Sequence, residues 1–434
     1  MERNIERKPA RNSLAYNALL LFTFLYYTRP EDLIPTLGFF PLEKIIGGVA
    51  FLALISTLAS RTVKRKLPLE LKLLFLLFIH LAISIPFAYW RGGAFVTVFE
   101  RFYKGVTVGF LVTLVVENFD QLRRLLWVQA ASMVATTFAS LALHRTDAGR
   151  LIGALGGIFE NPNDLAINIA INWPLCLAFV LLARSATKRA IWVIGILSML
   201  LAVVLTYSRS GLVATVAAIL MCLWEFGVRG KRMYLIGAAF FLALGAGVVV
   251  FATPHYLLRV ESIFRGNVRG SEDNGSLEAR KELLYLSVEE AIHHPIFGIG
   301  AGNFAAATKT WHVTHNTYME FASEGGFPAL FIFLAILYLT FRNLKKMELL
   351  PVYRQRADVR ILADAMWASL AAFMIGAMFA SYEYELFPYF MVAYASVFYR
   401  WCVEASADGA QPEEVKPKRL HWQRVYGTKE AWKR

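Results

Sequence analysis

His315 and Asn316 stand where the longest polar stretch of the chain, from Thr253 to Asn316, meets an apolar run entered through Tyr318, Phe321 and Phe327. An imidazole at this junction is expected at the N-terminus of a helix, whose positive end disfavours imidazolium. His315 would then stay neutral and able to accept a proton; the plainer reading is an interfacial histidine with no chemistry. Arg209 lies in the turn Thr206-Tyr207-Ser208-Arg209-Ser210-Gly211 between two apolar runs. Ser208 or Ser210 can cap the following helix and leave its free N–H groups beside the guanidinium, as an anion site needs. A snorkelling arginine at a span end is the ordinary alternative. Arg280 follows the turn Asn274-Gly275-Ser276. Ser276 suits the N-cap of a helix carrying Leu277, Leu284, Val288 and Ala291 at helical spacing and ending before Pro295. A cation in or just after the first turn opposes the helix dipole, which favours a reason other than helix stability. Arg280 can equally be an exposed partner of Glu278 or Glu282.

Arg259, Arg265 and Arg269 make the same segment locally basic. Gly298-Ile299-Gly300-Ala301-Gly302-Asn303 has the look of a phosphate loop, but no strand of a βαβ unit precedes it. It is expected to be a tight turn in which backbone approaches backbone. His312 and His315 at i,i+3, with His293 and His294 upstream, raise the possibility of zinc. No HExxH is present and no carboxylate sits at a ligand spacing, so no metal and no other cofactor is expected.

The elements that must position these residues are membrane helices. Hydrophobic residues make up 57% of the 434, and mean hydropathy is +0.47. Apolar runs such as Leu71 to Trp90, Ile191 to Tyr207 and Met233 to Phe251 match a bilayer core, about 20 residues thick as helix. Lipid offers no hydrogen-bond partners, so such runs read as helices. The first run, Leu14 to Thr28, follows Arg3, Arg7, Lys8 and Arg11 and precedes Arg29-Pro30-Glu31-Asp32 with no small-residue cleavage site. It is expected to be a retained anchor. Cys176, Cys222 and Cys402 fall within or at the end of expected spans and offer no disulfide framework.

The net charge of +13 does not point to nucleic acid. Arg61/Lys64/Arg65/Lys66, Arg123/Arg124, Lys188/Arg189, Arg229/Lys231/Arg232 and Arg342/Lys345/Lys346 recur in every second short loop, the positive-inside pattern of a polytopic protein. The expected fold is therefore all-α and polytopic, with about twelve transmembrane helices and one large periplasmic segment. With a cytoplasmic N-terminus, spans centred near 21, 52, 80, 108, 132, 173, 198, 218, 242, 333, 370 and 395 place each basic loop, and the C-terminal tail, inside. Outward loops are then 29–40, 91–95, 144–163, 208–210, 254–315 and 382–387. Glu100, Arg101 and Lys104 interrupt the fourth span and suggest an interfacial helix or a cavity lining. Four regions follow: helices one to nine in 1–253, a periplasmic loop with helices in 254–315, helices ten to twelve in 316–405, and a basic cytoplasmic tail in 406–434.

The SRSG turn, the run GSLEARKELL with HHPIFGIGAGNF behind it, and HNTYMEFASEGG together resemble the O-antigen ligase and polymerase superfamily of membrane glycosyltransferases. The direct resemblance covers roughly 200–340. Phe159-Glu160-Asn161-Pro162-Asn163 is similar to a sequence these proteins carry, and Tyr27-Thr28-Arg29-Pro30-Glu31 resembles the ligases associated with exosortase systems. The resemblance implies transfer of a glycan from a polyprenyl-pyrophosphate carrier to an acceptor hydroxyl on the periplasmic face of the bacterial inner membrane, by metal-independent, inverting displacement. It implies Arg209 and Arg280 as the pyrophosphate-binding arginines and His315 as the catalytic histidine. Asn163, Arg265, Asn303 and Asn316 are further candidates for substrate binding. Lipid A–core is the expected acceptor. A protein O-oligosaccharyltransferase and an O-antigen polymerase are the alternatives within the family. A polysaccharide transporter or flippase is the alternative from another class; it would show internal repeats, broken helices and midplane charges.

Overall fold

The computed structural model describes residues 13–30, 42–59, 67–147, 149–153, 159–237, 272–310 and 312–407 of the chain. Its helices run in the order α1 (Ser13–Thr28), α2 (Leu42–Ala59), α3 (Leu69–Ser84), α4 (Arg91–Val96), α5 (Tyr103–Val115), α6 (Phe119–Leu143), α7 (Pro162–Leu182), α8 (Ala186–Leu205) and α9 (Arg209–Cys222). After the gap come α10 (Glu272–His293), α11 (Phe304–Thr308), α12 (Thr317–Met347), α13 (Pro351–Gln355), α14 (Ala357–Gly376) and α15 (Phe387–Ala407). The only sheet among the described residues is a hairpin of two-residue strands, Thr146–Asp147 against Arg150–Leu151. The protein is an all-helical, multi-pass membrane protein.

Among the described residues, seven helices are long and apolar enough to cross a bilayer: Leu69–Phe87, Phe119–Leu143, Pro162–Leu182, Ala186–Leu205, Arg209–Arg229, Thr317–Met347 and Ala357–Gly376. Seven of the twelve expected centres fall within them. The centre near 21 falls in the shorter Leu14–Thr28 helix. The one near 108 falls in α5, which has only 13 residues because a short helix and a π-helical turn, Thr97–Phe102, come first. Glu100 and Arg101 lie in that turn, which accounts for the interruption seen in the sequence. The centre near 242 lies outside the described residues.

α7 is the hub of the bundle, with α6, α8, α9 and α14 against it. Small residues allow the closest approaches: a Cβ on Gly211 would meet Ala166 at 2.2 Å, and one on Gly376 would meet Ile167 at 2.6 Å. A polar ladder runs down its buried side. Asn168 donates to the Asp164 carbonyl at 2.9 Å, Asn172 to the Asn168 carbonyl at 2.9 Å, and Gln129 of α6 to Asn172 at 2.8 Å.

α12 carries the second half of the architecture, with α3, α10, α14 and α15 packed around it. It is broken at Gly326, whose φ of 74° is left-handed. The break frees carbonyls near the end of its first segment, and neighbours take them up. Ile299 N–H donates to Ser323 at 2.9 Å, Gly300 N–H to Glu324 at 2.9 Å, and His80 Nε2 to Gly325 at 2.7 Å. The glycine-rich run is thus a strap laid across a broken helix. Gly298 shows how tightly: with φ at 66°, a Cβ there would lie 2.3 Å from the Glu324 backbone. The expectation of backbone approaching backbone holds at this turn.

Candidate functional site

Arg209 is the first residue of α9, and Ser208 is its N-cap, the Ser208 hydroxyl accepting from Gly211 N–H at 3.0 Å. The same hydroxyl donates to Asn163 Oδ1 at 2.7 Å. Arg150 of the hairpin donates to Asn163 Oδ1 at 2.9 Å and to the Thr206 carbonyl at 3.0 Å. Asn163 therefore ties the start of α7 to the turn that presents Arg209, and Arg150 closes the tie from a third segment. The sequence reading did not single out Arg150, because an isolated loop arginine carries no local signal.

Arg280 is half-buried on α10, but not where the sequence placed it. The helix begins at Glu272, upstream of the Asn274-Gly275-Ser276 turn, so Arg280 sits in its third turn and Ser276 is not the N-cap. The inward face also differs from the one expected. Leu283, Ser287 and Ala291 are buried, whereas Leu284 is 42% and Val288 40% exposed. Small Ser287 and Ala291 let α10 approach α12 closely, and Arg280 continues that inward face at i, i+3, i+7 and i+11.

His315 precedes α12 and holds a left-handed φ of 52°. Asn316, the N-cap, accepts from the N–H groups of Tyr318 and Met319, both at 3.1 Å. Thr314 accepts from Asn316 N–H at 3.1 Å and donates to Glu320 Oε2 at 2.9 Å. His315 is thus braced from both sides, one residue before the cap. Its pKa is lowered to about 4 by burial first, then by the charges of Arg280 and His312. The lowered pKa agrees with the neutral imidazole expected from the sequence, and burial is its largest cause. Burial also lowers the pKa of Arg280, and Arg209 adds to the effect. Arg280 thus lies within electrostatic reach of both Arg209 and His315, which come from separate elements.

His315 also lines a cavity of about 250 Å³ together with Asn163, Arg101 and four acidic side chains: Asp164, Glu320, Glu324 and Glu383. Glu320 and Glu324 are one turn apart on the first segment of α12, and both are buried. Glu383 comes from the loop between α14 and α15. That loop is fastened to the start of α12 by Thr317, whose N–H donates to the Ala377 carbonyl at 2.9 Å and whose hydroxyl donates to Ala380 at 2.7 Å. Burial, reinforced by the charges of Glu320 and Glu324, pushes the Glu383 pKa well above the usual carboxylate range. This acidic wall was missed. Glu320 and Glu324 at i,i+4 inside an apolar run were the available signal, since charges in a span face protein or water.

Of the remaining candidates, Asn303 is buried, donates to the carbonyls of Trp90 at 3.1 Å and Ile299 at 3.0 Å, and is not part of the cavity wall. Arg265 lies outside the described residues. Among the described residues, no group of three His, Cys, Asp or Glu side chains is arranged to hold a metal ion.

Residues 194–334 match the family model described as O-antigen ligase. This region belongs to the O-antigen ligase family. No curated protein matches the chain. The ligase-family region contains Arg209, Arg280, His315, Glu320 and Glu324, whereas Asn163 and Glu383 come from outside it and complete the cavity.

Proposed function

We propose that the protein is a membrane glycosyltransferase of the O-antigen ligase type. It would transfer a glycan from a polyprenyl-pyrophosphate donor to an acceptor hydroxyl, with lipid A–core as the acceptor, by inverting displacement without a metal. The observation that carries this reading is the grouping of Arg209, Arg280 and His315. Two guanidiniums near one another can grip a pyrophosphate with bidentate hydrogen bonds. As the acceptor oxygen forms its bond to the anomeric carbon, the bond from that carbon to the pyrophosphate oxygen breaks. The arginines stabilise the charge that develops on the leaving group. His315, held neutral, takes the acceptor proton. No covalent intermediate is needed.

The site end of the bundle is assigned to the periplasmic face of the bacterial inner membrane and both termini to the cytoplasm. The Lys- and Arg-rich short loops, with Arg229 and Lys345 among them, lie at the far ends of the helices that carry Arg209 and Glu320. The transporter alternative expects broken helices, and α12 is one. Its break, however, is bridged by backbone hydrogen bonds from the 295–300 strap. Reconstitution with a purified polyprenyl-pyrophosphate-linked glycan tests the proposal, offering lipid A–core, a second repeat unit and a Ser/Thr-bearing protein in turn. Transfer to lipid A–core that persists in EDTA is the expected result. Transfer only to a repeat unit or to protein would reassign the acceptor, and movement of the glycan across the bilayer without transfer would overturn the enzyme.

A further inference from the structure

The arginines account for a pyrophosphate, but not for the acidic cavity that His315 lines. At about 250 Å³ it is smaller than the ~300–1,000 Å³ common for small-molecule sites, so it suits one ring rather than a whole repeat unit. Four carboxylates against a single guanidinium, Arg101, face it, so a phosphate is disfavoured and a neutral, hydrogen-bond-donating group suits it.

Three of the four carboxylates are already engaged. Asp164 accepts from the Tyr382 hydroxyl at 3.0 Å, and Glu320 accepts from Thr314 and Ser381. Glu324 accepts from Phe304 N–H at 2.9 Å, Gly302 N–H at 2.6 Å and the Tyr384 hydroxyl at 2.8 Å, which fastens the glycine-rich strap to α12. Glu383 differs. It is 4% exposed, lines the cavity, and its Oε2 has no hydrogen-bond partner among the described residues. The Tyr389 hydroxyl donates to its backbone carbonyl and fixes the loop that carries it. An orphaned buried carboxyl oxygen costs stability unless a ligand supplies the missing donor.

We infer that this cavity is a sugar subsite in which Glu383 hydrogen-bonds ring hydroxyls of the glycan or of its acceptor, an inference that rests on the glycosyltransferase reading. Opposite charge then sorts the substrate. Arg209 and Arg280 hold the pyrophosphate, the acids of the cavity read the neutral ring, and the imidazole that lines the same cavity takes the hydroxyl proton.

Saturation-transfer NMR on the full chain in nanodiscs tests this, with free glucose, galactose, mannose and N-acetylglucosamine and their monodeoxy analogues as probes. At least one sugar should bind saturably, and removal of a single hydroxyl should weaken it. Glu383→Leu should lose at least tenfold in affinity, while Glu383→Gln, which keeps an accepting oxygen, should stay within about threefold of wild type, given that ~1.4 kcal/mol is tenfold. Neutralising an unpartnered buried acid should not lower the melting temperature, and the deoxy series decides the matter on the wild-type protein in any case. No saturable sugar, no dependence on any hydroxyl, or unchanged binding in Glu383→Leu would each overturn the inference. A short prenyl-pyrophosphoryl monosaccharide identifies the source: competition with the free sugar assigns the subsite to the donor, and binding alongside it assigns the subsite to the acceptor. Inorganic pyrophosphate binding that weakens in Arg280→Lys, without sugar binding, would sink the subsite alone. Sugar binding without transfer from a lipid-linked donor would sink the glycosyltransferase reading alone.

Discussion

At the end of the bundle where Leu223–Arg229 meets the C-terminus of α12, opposite charges face one another. Arg229 bonds Glu225 at 2.5 Å and Glu348 at 2.9 Å, Lys345 bonds Glu348 at 2.8 Å, and Arg356 pairs with Asp358 at 2.8 Å. Burial works against the Glu348 carboxylate, but hydrogen bonds from Arg229 and Lys345 outweigh it and hold its pKa below the usual range. At the other end like gathers with like. Arg280 has Arg209 beside it, His315 has Arg280 and His312, and Glu383 has Glu320 and Glu324. The first end is satisfied by its own residues, as a structural network is. The second sets like charges near one another, and such arrangements gather at functional sites. The residue types are common to both ends; the difference is which charges are set side by side.

Removing His315 should expose this contrast most strongly. His315→Ala should cut transfer by about 10²–10⁴-fold, the usual worth of a general base, with donor binding retained. The pH dependence carries a sharper test. Because the pKa is depressed to about 4 in the ligand-free protein, the imidazole stays neutral well below its ordinary 6.5. kcat/KM, which reports the free enzyme, should therefore hold through pH 5 and fall only near 4. A bound pyrophosphate beside the ring favours imidazolium, so the break in kcat should lie higher. Linkage has the same sign: the unfolded chain takes up its proton first as pH falls, so the His315 contribution to stability is present above about 6.5 and lost between there and about 4. Full activity of His315→Ala would return the residue to an interfacial role.

Arg280→Lys should cost at least tenfold in rate, about 1.4 kcal/mol, because a point-charge ammonium cannot reproduce a bidentate contact. The loss should be largest at limiting donor and shrink as donor is raised. Near-normal transfer at limiting donor would make the like-charged end no more functional than the paired one.

Much of this site was legible in the sequence, and the rest shows what a linear reading misses. Arg209, Arg280 and His315 announced themselves through local context: a capped turn, an odd helical arginine, a histidine at a polar-to-apolar junction. Local context also misled. Asn274-Gly275-Ser276 has the chemistry of a turn, yet α10 runs through it. The inward face of α10 was set by how closely Ser287 and Ala291 let it approach α12, not by its largest apolar residues. Glu383 was invisible as an acid in a short loop, since its meaning comes from Glu320 and Glu324, about 60 residues away in sequence and on another element. Asn163, a candidate for substrate binding, lines the cavity and also joins the Arg209 turn to α7, a tie that no linear reading shows. The fourth expected span shows what an interruption by charges means here: Glu100 and Arg101 lie in a π-helical turn that runs directly into α5.

The paired end should answer substitution in stability and not in rate. In Arg229→Ala, Glu225, 6% exposed, loses its partner, so a loss of about 1–3 kcal/mol is expected from a buried acceptor left unsatisfied.

Glu348→Gln should give the smallest effect. Its side chain is 22% exposed and its partners Arg229 and Lys345 are 36% and 59% exposed, so solvent and salt screen most of the attraction. Pairs of this kind are worth about 0.2–1 kcal/mol, and the amide still offers an oxygen to Arg229. Because the folded-state pKa of Glu348 is depressed, what stabilisation it gives is present above the unfolded carboxyl value and fades as pH falls through the folded one. The melting temperatures of wild type and Glu348→Gln should therefore differ slightly at pH 7 and converge in acid, with transfer unchanged throughout. A tenfold loss of transfer in this variant would mean that the two ends communicate, and that the paired end holds more than the fold.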